Sequence, residues 1–439
     1  MTEAGGTGSA PGASAPAEKA QVARDTAWNF IAAAATAVCS GLRSLLLPKL
    51  LPSVDAFGVF TVLNLFKTYS PYVNAGVLMG YGVEVPRRRG QGNHAETDIL
   101  AGTAHAFSFL ATLGFALVML ALIPFTAEPD MRAGLGVFAV VVVLQNQLMF
   151  YSDRLRVELQ FKLRSQQDMV NALGFTALAV GFAAWFGLYA VFAGLVFGQA
   201  LALWWTRRHD PYRPGWRIEL AALKTLIRLG IPVTLTTVLG TVIFDVDIIL
   251  IKQWYPGYRM AGLYGLGVTF SALMMMVPYT VGHALAPRIY REAGKPEGER
   301  DLARYIRKPL LLLTGLAAVG SGAATLIFVP AIELYLPRYL DGLPAMRLLV
   351  WYTVFNAAVT TVGYLFAGCK SFARIIALQL TVIAANLCLN LTLLELGCGL
   401  VGVAAVTVLS YALYAAGGLW LGLRLCRMAT GEMLVIMAA

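Results

Sequence analysis

Long runs of apolar residues alternate with short polar breaks along almost the whole chain. A helix that crosses the hydrocarbon core of a bilayer needs about 20 mostly apolar residues. The pattern predicts twelve such helices, at about 26–51, 57–83, 98–125, 133–152, 168–186, 188–206, 230–253, 262–286, 309–331, 343–369, 372–394 and 399–423. We therefore expect an all-α integral membrane protein.

Composition agrees with this pattern and excludes other classes. The 439 residues are 58% hydrophobic and 13% charged, whereas soluble domains carry about 25% charged residues. Soluble enzymes, nucleic-acid-binding proteins and disordered scaffolds are therefore excluded. Fifteen of the first eighteen residues are Ala, Gly, Pro, Ser or Thr, which cannot pack a core. This composition predicts a disordered tail over residues 1–24.

The position of the basic residues predicts the orientation in the membrane. Of the 34 Lys and Arg residues, 26 lie in the tails, in the loops after even-numbered spans or at the span ends beside those loops, and 6 lie in or beside the loops after odd-numbered spans. Cytoplasmic loops carry the excess of Lys and Arg. Both termini are therefore predicted to be cytoplasmic, and the chain is predicted to be a multi-pass membrane protein.

Three correspondences indicate that a six-span unit is duplicated. The loop after the first span has Pro52 and Gly58, and the loop after the seventh has Pro256 and Gly262, an offset of 204 residues. Two further pairs, Pro86 with Pro287 and Ser165 with Ser371, have offsets of 201 and 206 residues. A unit with an even number of spans keeps its orientation when it is duplicated, so a pseudo-two-fold axis along the membrane normal is expected.

The predicted domains follow from this repeat. A six-helix lobe over 25–206 and a second over 230–425 are joined by a linker at 207–229, and a cytoplasmic tail follows at 426–439. One helical face of the linker is apolar and another is basic, formed by Trp216, Leu220, Leu223 and Ile227 and by Arg217, Lys224 and Arg228. This pattern predicts a short amphipathic helix on the cytoplasmic leaflet, with a solvated connector as the alternative.

Two cations inside the first two spans are the main candidate binding residues. Arg43 shares a helical face with Asn29 and Ser40, and Lys67 shares one with Asn74. A charge inside the bilayer costs about 2.5–3.5 kcal/mol and usually faces a cavity or a partner. We therefore predict a cavity for anions lined by these five residues. The alternative for each cation is that its head extends to the membrane interface.

Two aspartates in the seventh span are candidate ion-coupling residues. Asp245 and Asp247 point to opposite faces of the predicted helix, and the polar face that Asp245 shares favours it as the cavity residue. No GxxxxGK[ST] motif is present, so ATP hydrolysis is not expected. The five cysteines have no metal-binding spacing. We expect no cofactor, no metal site and no catalytic residues.

Several segments, in order and at consistent spacing, resemble one family of membrane proteins. They include PKLLPSVDAFGVF after the first span, LIRLGIP entering the seventh, DIILIKQWYPGYRMAGLYGLG across the next loop and APRIYREAG closing the eighth. The chain resembles the polysaccharide (O-antigen type) flippases of the multidrug/oligosaccharidyl-lipid/polysaccharide exporter superfamily. Lys49 matches a basic residue of that family, and Asp247 matches its aspartate in the seventh span. The usual Gly-Pro of the first outer loop is Leu51-Pro52 here.

The resemblance implies a V-shaped bundle of two six-helix lobes around a central cavity. It also implies a substrate, a polyprenyl-diphosphate-linked oligosaccharide, which crosses from the inner to the outer leaflet during synthesis of cell-surface polysaccharide such as lipopolysaccharide O-antigen. The expected partners are this substrate, membrane lipids and glycosyltransferase or polymerase machinery. No nucleic acid is expected, and the chain is expected to act as a monomer.

Other functions fit the sequence less well. A cation-coupled drug antiporter of the same superfamily would be favoured by a cavity dominated by acidic residues. A major-facilitator transporter would carry an acidic-basic loop after its second span, where this chain has VEVPRRRGQGNH. A membrane polymerase or ligase needs a long exposed catalytic loop, and the predicted outer loops are short. A membrane scaffold would gain nothing from charges inside its spans.

Overall fold

A computed structural model describes residues 15–91, 93–293, 298–369 and 371–425 of the chain. These residues form helices, turns and irregular segments, without a β-strand. The helices are α1 (Ala15–Leu50), α2 (Val54–Tyr69), α3 (Val77–Gly90), α4 (His94–Ala121), α5 (Pro129–Val157), α6 (Phe161–Phe186), α7 (Leu188–His209), α8 (Leu220–Trp254), α9 (Arg259–Ala293), α10 (Gly298–Tyr335), α11 (Leu343–Gly368), α12 (Phe372–Glu395) and α13 (Gly399–Leu425).

The fold class predicted from the sequence is confirmed, with one span differing in form. By length and composition, eleven segments of the described residues could each cross a membrane as one helical span. The remaining span, predicted as one helix over 57–83, consists of the two shorter helices α2 and α3. The first lobe contains α1–α7 and the second contains α8–α13.

The second span is broken because local chemistry prevents a continuous helix. Pro71 lies in a 3₁₀ turn at Ser70–Tyr72, and its ring cannot donate a backbone hydrogen bond. Ala75 and Gly76 then adopt positive φ angles of 51° and 80°, a conformation that interrupts a right-handed helix. The Asn74 Oδ1 atom accepts a hydrogen bond of 3.1 Å from the Gly76 backbone N–H, which holds the turn.

The two predicted tails fall partly outside the described residues. Helix α1 begins at Ala15, so the disordered tail predicted over 1–24 is wrong for residues 15–24. Those residues extend the first membrane helix toward its N-terminal end. Residues 1–14 and the predicted tail at 426–439 lie outside the part of the chain that the structure describes.

The linker between the lobes differs from the predicted amphipathic helix. Residues 210–219 are not helical, and residues 220–229 are the first turns of α8. The buried positions in these turns are Ala222 and Leu226, whereas Leu220 is 78% exposed. A β-carbon on Gly80 would lie 2.1 Å from the Leu226 carbonyl oxygen. The prediction of a separate helix was therefore wrong, because residues 220–229 continue directly into α8. The predicted apolar face was also wrong, because the close packing of α8 on α3 determines which residues are buried.

A reciprocal contact between equivalent glycines marks the pseudo-two-fold axis. A β-carbon on Gly58 would lie 1.9 Å from the Tyr258 carbonyl oxygen, and one on Gly262 would lie 2.3 Å from the Val54 carbonyl oxygen. Gly58 and Gly262, like Val54 and Tyr258, are 204 residues apart. Helices α2 and α9 thus cross at positions that are equivalent in the repeat, as a two-fold contact requires.

The largest apolar core cluster of the described residues joins the lobes at one end of the bundle. We call this end the Pro52 face, because the loops at 51–53 and 255–258 lie there, and the opposite end the Arg88 face. The largest core cluster contains residues of both lobes near the Pro52 face, among them Leu51, Phe57, Ile248, Tyr264 and Tyr339. Toward the Arg88 face the buried residues form two smaller clusters. One lies within the second lobe, and the other joins α3, α4 and α5 to the first turns of α8 through Ala222 and Leu226. The bundle is therefore closed at the Pro52 face.

Candidate functional site

Arg43 is fixed inside the first lobe by three hydrogen bonds and an aromatic ring. Its guanidinium donates to the Thr176 hydroxyl, to the Ala172 carbonyl oxygen at 3.3 Å and to Ser40 Oγ at 3.0 Å. Its Cζ atom lies 4.5 Å from the centroid of the Phe175 ring. These contacts hold the charge between α1 and α6.

Lys67 lies on α2 and lines the same pocket as Arg43. Among the described residues, the ion pairs at up to 4.0 Å involve neither Arg43 nor Lys67. Two uncompensated cations in one cavity are electrostatically costly. The arrangement therefore favours an anionic ligand that would bind both.

Arg43 and Lys67 line a pocket of about 360 Å³, which we call the Arg43 pocket. It lies between α1, α2 and α6 of the first lobe and α9 of the second, and it combines the two cations with Ser40, Asn64 and Thr269 and with apolar walls. The structure thus brings together three of the five predicted binding residues: Arg43, Lys67 and Ser40.

The other two predicted binding residues lie elsewhere. The Asn29 Oδ1 atom accepts a hydrogen bond of 3.1 Å from Ser165 Oγ, about 21 Å along α1 from Arg43 at 1.5 Å per residue. Asn74 is 1% exposed and holds the turn that breaks the second span. Neither side chain lines the Arg43 pocket.

A larger cavity lies in the second lobe and meets the Arg43 pocket at Ala272. This second-lobe cavity has a volume of about 810 Å³ and is lined by α8, α9, α11, α12 and α13, with Thr68 and Val83 of the first lobe at its edge. Its walls are mostly apolar and aromatic, and it extends to Phe366 and Phe372 near the Arg88 face.

Asp245 and Asp247 point to opposite sides of α8, as helical spacing predicts. Asp245 lines the second-lobe cavity. Its side chain interacts with Tyr69 of the first lobe, and its Oδ2 atom has no hydrogen-bond partner in the described part of the chain. Asp245 is therefore an acidic group at the surface where the lobes meet.

Asp247 is completely buried inside the second lobe. Its carboxylate accepts hydrogen bonds from the Tyr264 hydroxyl at 2.7 Å, from Asn390 Nδ2 at 2.8 Å and from the Thr407 hydroxyl. Asn390 Nδ2 also donates to Asn386 Oδ1 at 3.0 Å. This network connects α8, α9, α12 and α13, and it does not reach the second-lobe cavity.

A second polar pocket in the first lobe was not predicted from the sequence. It has a volume of about 250 Å³, and Lys67 lines both this pocket and the Arg43 pocket. Its other polar residues include Gln145, Gln167, Gln199 and Asp168; we call it the Gln167 pocket. Three glutamines within apolar spans were the signal that could have identified it, because a buried amide in a membrane helix usually faces another polar group.

The sequence matches a family model. The model of the polysaccharide biosynthesis protein family matches residues 47–288, more than half of the chain. A curated relative, the multidrug resistance protein MdtK of Pectobacterium atrosepticum, is 32% identical over 100 residues. That match covers 23% of this chain and 21% of the relative, so it spans about a fifth of the relative's length.

Solved structures show the same fold at low sequence identity. The lipid II flippase MurJ in an inward closed conformation has a TM-score of 0.69 at 12% identity, covering 93% of this chain and 89% of that one. An inward-facing multidrug resistance MATE family transporter of the MOP superfamily has a TM-score of 0.67 at 13% identity, covering 92% and 96%. The chain therefore has the two-lobed fold that these transporters share.

Proposed function

Because the chain belongs to the polysaccharide biosynthesis protein family, we propose that it flips a polyprenyl-diphosphate-linked oligosaccharide from the inner to the outer leaflet. The observation that carries this proposal is the pair of cations in the Arg43 pocket, Arg43 and Lys67, which form no ion pair within 4.0 Å among the described residues. A diphosphate is the part of such a lipid that needs fixed positive charge when it leaves water. The apolar walls of the same pocket would accept the adjoining hydrocarbon.

The energetic role of the two cations is to replace lost hydration. Moving an unpaired anion into the low-dielectric interior costs several kcal/mol even after relaxation. A hydrogen bond to a charged group recovers about 1.5–3 kcal/mol. Arg43 is held in place by Thr176, Ala172 and Ser40 before any ligand binds, so little reorganisation is needed when the diphosphate arrives.

In the proposed orientation, the observed conformation is open toward the cytoplasm, the side from which the substrate enters. The excess of Lys and Arg assigns the Arg88 face to the cytoplasm. The apolar core then closes the bundle toward the outside, and the second-lobe cavity extends toward the cytoplasmic end. Alternating access would move the lobes so that the Arg88 face closes and the Pro52 face opens.

We expect transport to be driven by the membrane potential. A diphosphate carries roughly two negative charges, and moving one charge through the full potential is worth about 2.3 kcal/mol per 100 mV. With the interior negative, outward movement is downhill by up to about 4–5 kcal/mol at 100 mV on that scale. The test is to time the flipping of a fluorescent polyprenyl-diphosphate sugar in reconstituted vesicles with a potassium-diffusion potential of either sign. Equal rates and equal final distributions at both signs would contradict this prediction.

A cation-coupled drug antiporter is the second candidate function. The observation that favours it is the second-lobe cavity, which is large, mostly apolar and aromatic, and carries Asp245 with an unpartnered carboxylate oxygen. A cationic amphiphilic drug would fit such a cavity. The same vesicles, loaded with a fluorescent cationic drug, separate the two functions: drug movement without lipid flipping would favour the antiporter.

Coupling to a cation would depend on Asp247 under either function. Its carboxylate lies beside the Thr407 hydroxyl and Asn386 Oδ1, and Asn390 Oδ1 has no hydrogen-bond partner among the described residues. Oxygen atoms of this kind suit a hard cation. Asp245 is the alternative coupling residue, because it faces the cavity.

Replacing Asp247 by Asn is therefore expected to remove the dependence of transport on a sodium or proton gradient. The amide keeps the size of the side chain, but it removes the charge that a cation would neutralise. The measurement compares transport rates of the variant in vesicles with and without each gradient. Asp245→Asn is the matched variant on the same helix. If Asp247→Asn keeps the full gradient dependence while Asp245→Asn loses it, the assignment to Asp247 is wrong.

A further inference from the structure

We infer that the Gln167 pocket binds the sugar that is joined directly to the diphosphate. This inference rests on the proposed flippase function and adds a second subsite to it. The pocket lies between α2, α5, α6 and α7 of the first lobe, and Lys67 is the residue that it shares with the Arg43 pocket. A ligand whose phosphate contacts Lys67 could therefore extend a neighbouring group into it.

The pocket presents hydrogen-bond acceptors that no residue in the described part of the chain satisfies. Gln167 is 3% exposed, and its Nε2 atom donates to the Leu148 carbonyl oxygen at 2.8 Å. Gln145 Nε2 donates to the Lys67 carbonyl oxygen at 3.4 Å. Because both nitrogens face the backbone, each Oε1 atom is left without a partner. The amide oxygens are thus oriented as acceptors before a ligand binds.

Gln199 adds a third buried acceptor. This residue on α7 is 3% exposed, and its Oε1 atom has no partner in the described residues. Asp168 contributes a carboxylate to the same lining. A buried acceptor without a partner costs about 1–3 kcal/mol, and buried polar groups are rarely left in this state. Three of them in one small pocket point to a ligand rich in hydrogen-bond donors.

A neutral sugar ring satisfies this requirement better than a metal cation. Its hydroxyl groups donate to amide and carboxylate oxygens, and each hydroxyl can also accept from the Lys67 ammonium. A cation in the same pocket would be repelled by that ammonium. The volume of about 250 Å³ is roughly that of eight water molecules at about 30 Å³ each. This volume can hold one sugar ring. The rest of a longer glycan would extend from the pocket into the space between the lobes.

The test compares two lipids on the same purified protein. One probe is polyprenyl diphosphate without a sugar, and the other carries a single N-acetylglucosamine or glucose on the diphosphate. For the wild-type protein in lipid nanodiscs, the better sugar-bearing probe should bind at least about tenfold more tightly than the bare diphosphate. Gln167→Leu and Gln199→Leu should each reduce this ratio by about tenfold, the effect of one lost neutral hydrogen bond. Binding of the bare diphosphate should stay unchanged, which also shows that the variants are folded.

Asn146→Leu is the matched control. Asn146 is a buried amide on α5, next to Gln145, and both of its side-chain polar atoms lack partners in the described residues. It does not line the Gln167 pocket, so its substitution should leave the sugar preference intact.

An unchanged ratio in both glutamine variants, or an equal loss for both probes, would overturn the sugar subsite while leaving the flippase function standing. Failure of the wild-type protein to bind either lipid would overturn the flippase proposal and the subsite with it.

Discussion

Replacing both Arg43 and Lys67 by uncharged residues is expected to reduce lipid flipping at least about a hundredfold. Each hydrogen bond to a charged group is worth about 1.5–3 kcal/mol, and each 1.4 kcal/mol corresponds to a factor of about ten. Arg43→Gln and Lys67→Met keep the approximate size of the side chains, so the Arg43 pocket should keep its shape. The measurement is the initial rate of flipping of a fluorescent polyprenyl-diphosphate sugar in vesicles containing equal amounts of inserted protein.

The matched control for this prediction is Lys252→Met. Lys252 also lies on a membrane helix, but its ammonium sits 4.4 Å from the centroid of the Tyr258 ring near the Pro52 face, and it does not line the Arg43 pocket. Its substitution should leave the rate within about a factor of two, as is usual away from special features. If the Arg43→Gln, Lys67→Met double variant flips lipid at the wild-type rate, the two cations do not take part in transport.

A side chain at Gly58 is expected to hold the Pro52 face open and to reduce transport by more than about a hundredfold. In the closed conformation, a β-carbon at this position would lie 1.9 Å from the Tyr258 carbonyl oxygen. Backbone atoms cannot yield as the end of a flexible side chain can, so Gly58→Val is incompatible with the crossing of α2 and α9. A transporter that cannot close one face cannot alternate between its two sides.

Thiol labelling would detect the open face directly. Ala272 lies between the Arg43 pocket and the second-lobe cavity, so Ala272→Cys reports access to the centre in a background without the five native cysteines. A membrane-impermeant reagent added outside whole cells should label this cysteine faster in Gly58→Val than in the parent. Gly315→Val on α10 is the control, because nothing lies within 4 Å of its β-carbon. Labelling at the parent rate would mean that α2 and α9 can close around the valine.

The sequence predicted the fold well because membrane spans have a strong local signal. Hydropathy over about 20 residues identifies a span without knowledge of its neighbours, and the repeated Pro-to-Gly spacing identified the two lobes. The break in the second span was missed because it depends on backbone conformations at Ala75 and Gly76 that no hydropathy window contains. For the same reason the face of α8 was misassigned, since its packing on α3 is a tertiary contact.

The candidate site shows the same limit. Helical spacing separated Asp245 from Asp247 correctly, because α8 is continuous around both residues. The same spacing placed Asn74 with Lys67 on one face, but the helix ends at Tyr69 and the regular spacing is lost beyond it. The Gln167 pocket was not found because its glutamines come from three different helices, and the sequence does not show which spans lie side by side.

The contact between Gly58 and Gly262 also bears on how such a chain could have arisen. Equivalent residues meet across an axis when two copies of one polypeptide associate, so this crossing is what a dimer of separate six-helix proteins would make. A single gene would encode both subunits of such a dimer, so every substitution would appear in both of them. Once the copies are joined, each can diverge alone. In the described part of the chain, the broken second span and the pair Arg43 and Lys67 belong to the first copy. The buried network around Asp247 belongs to the second copy. Under the proposed function, fusion would let one half specialise in binding while the other specialises in coupling, which identical subunits could not encode.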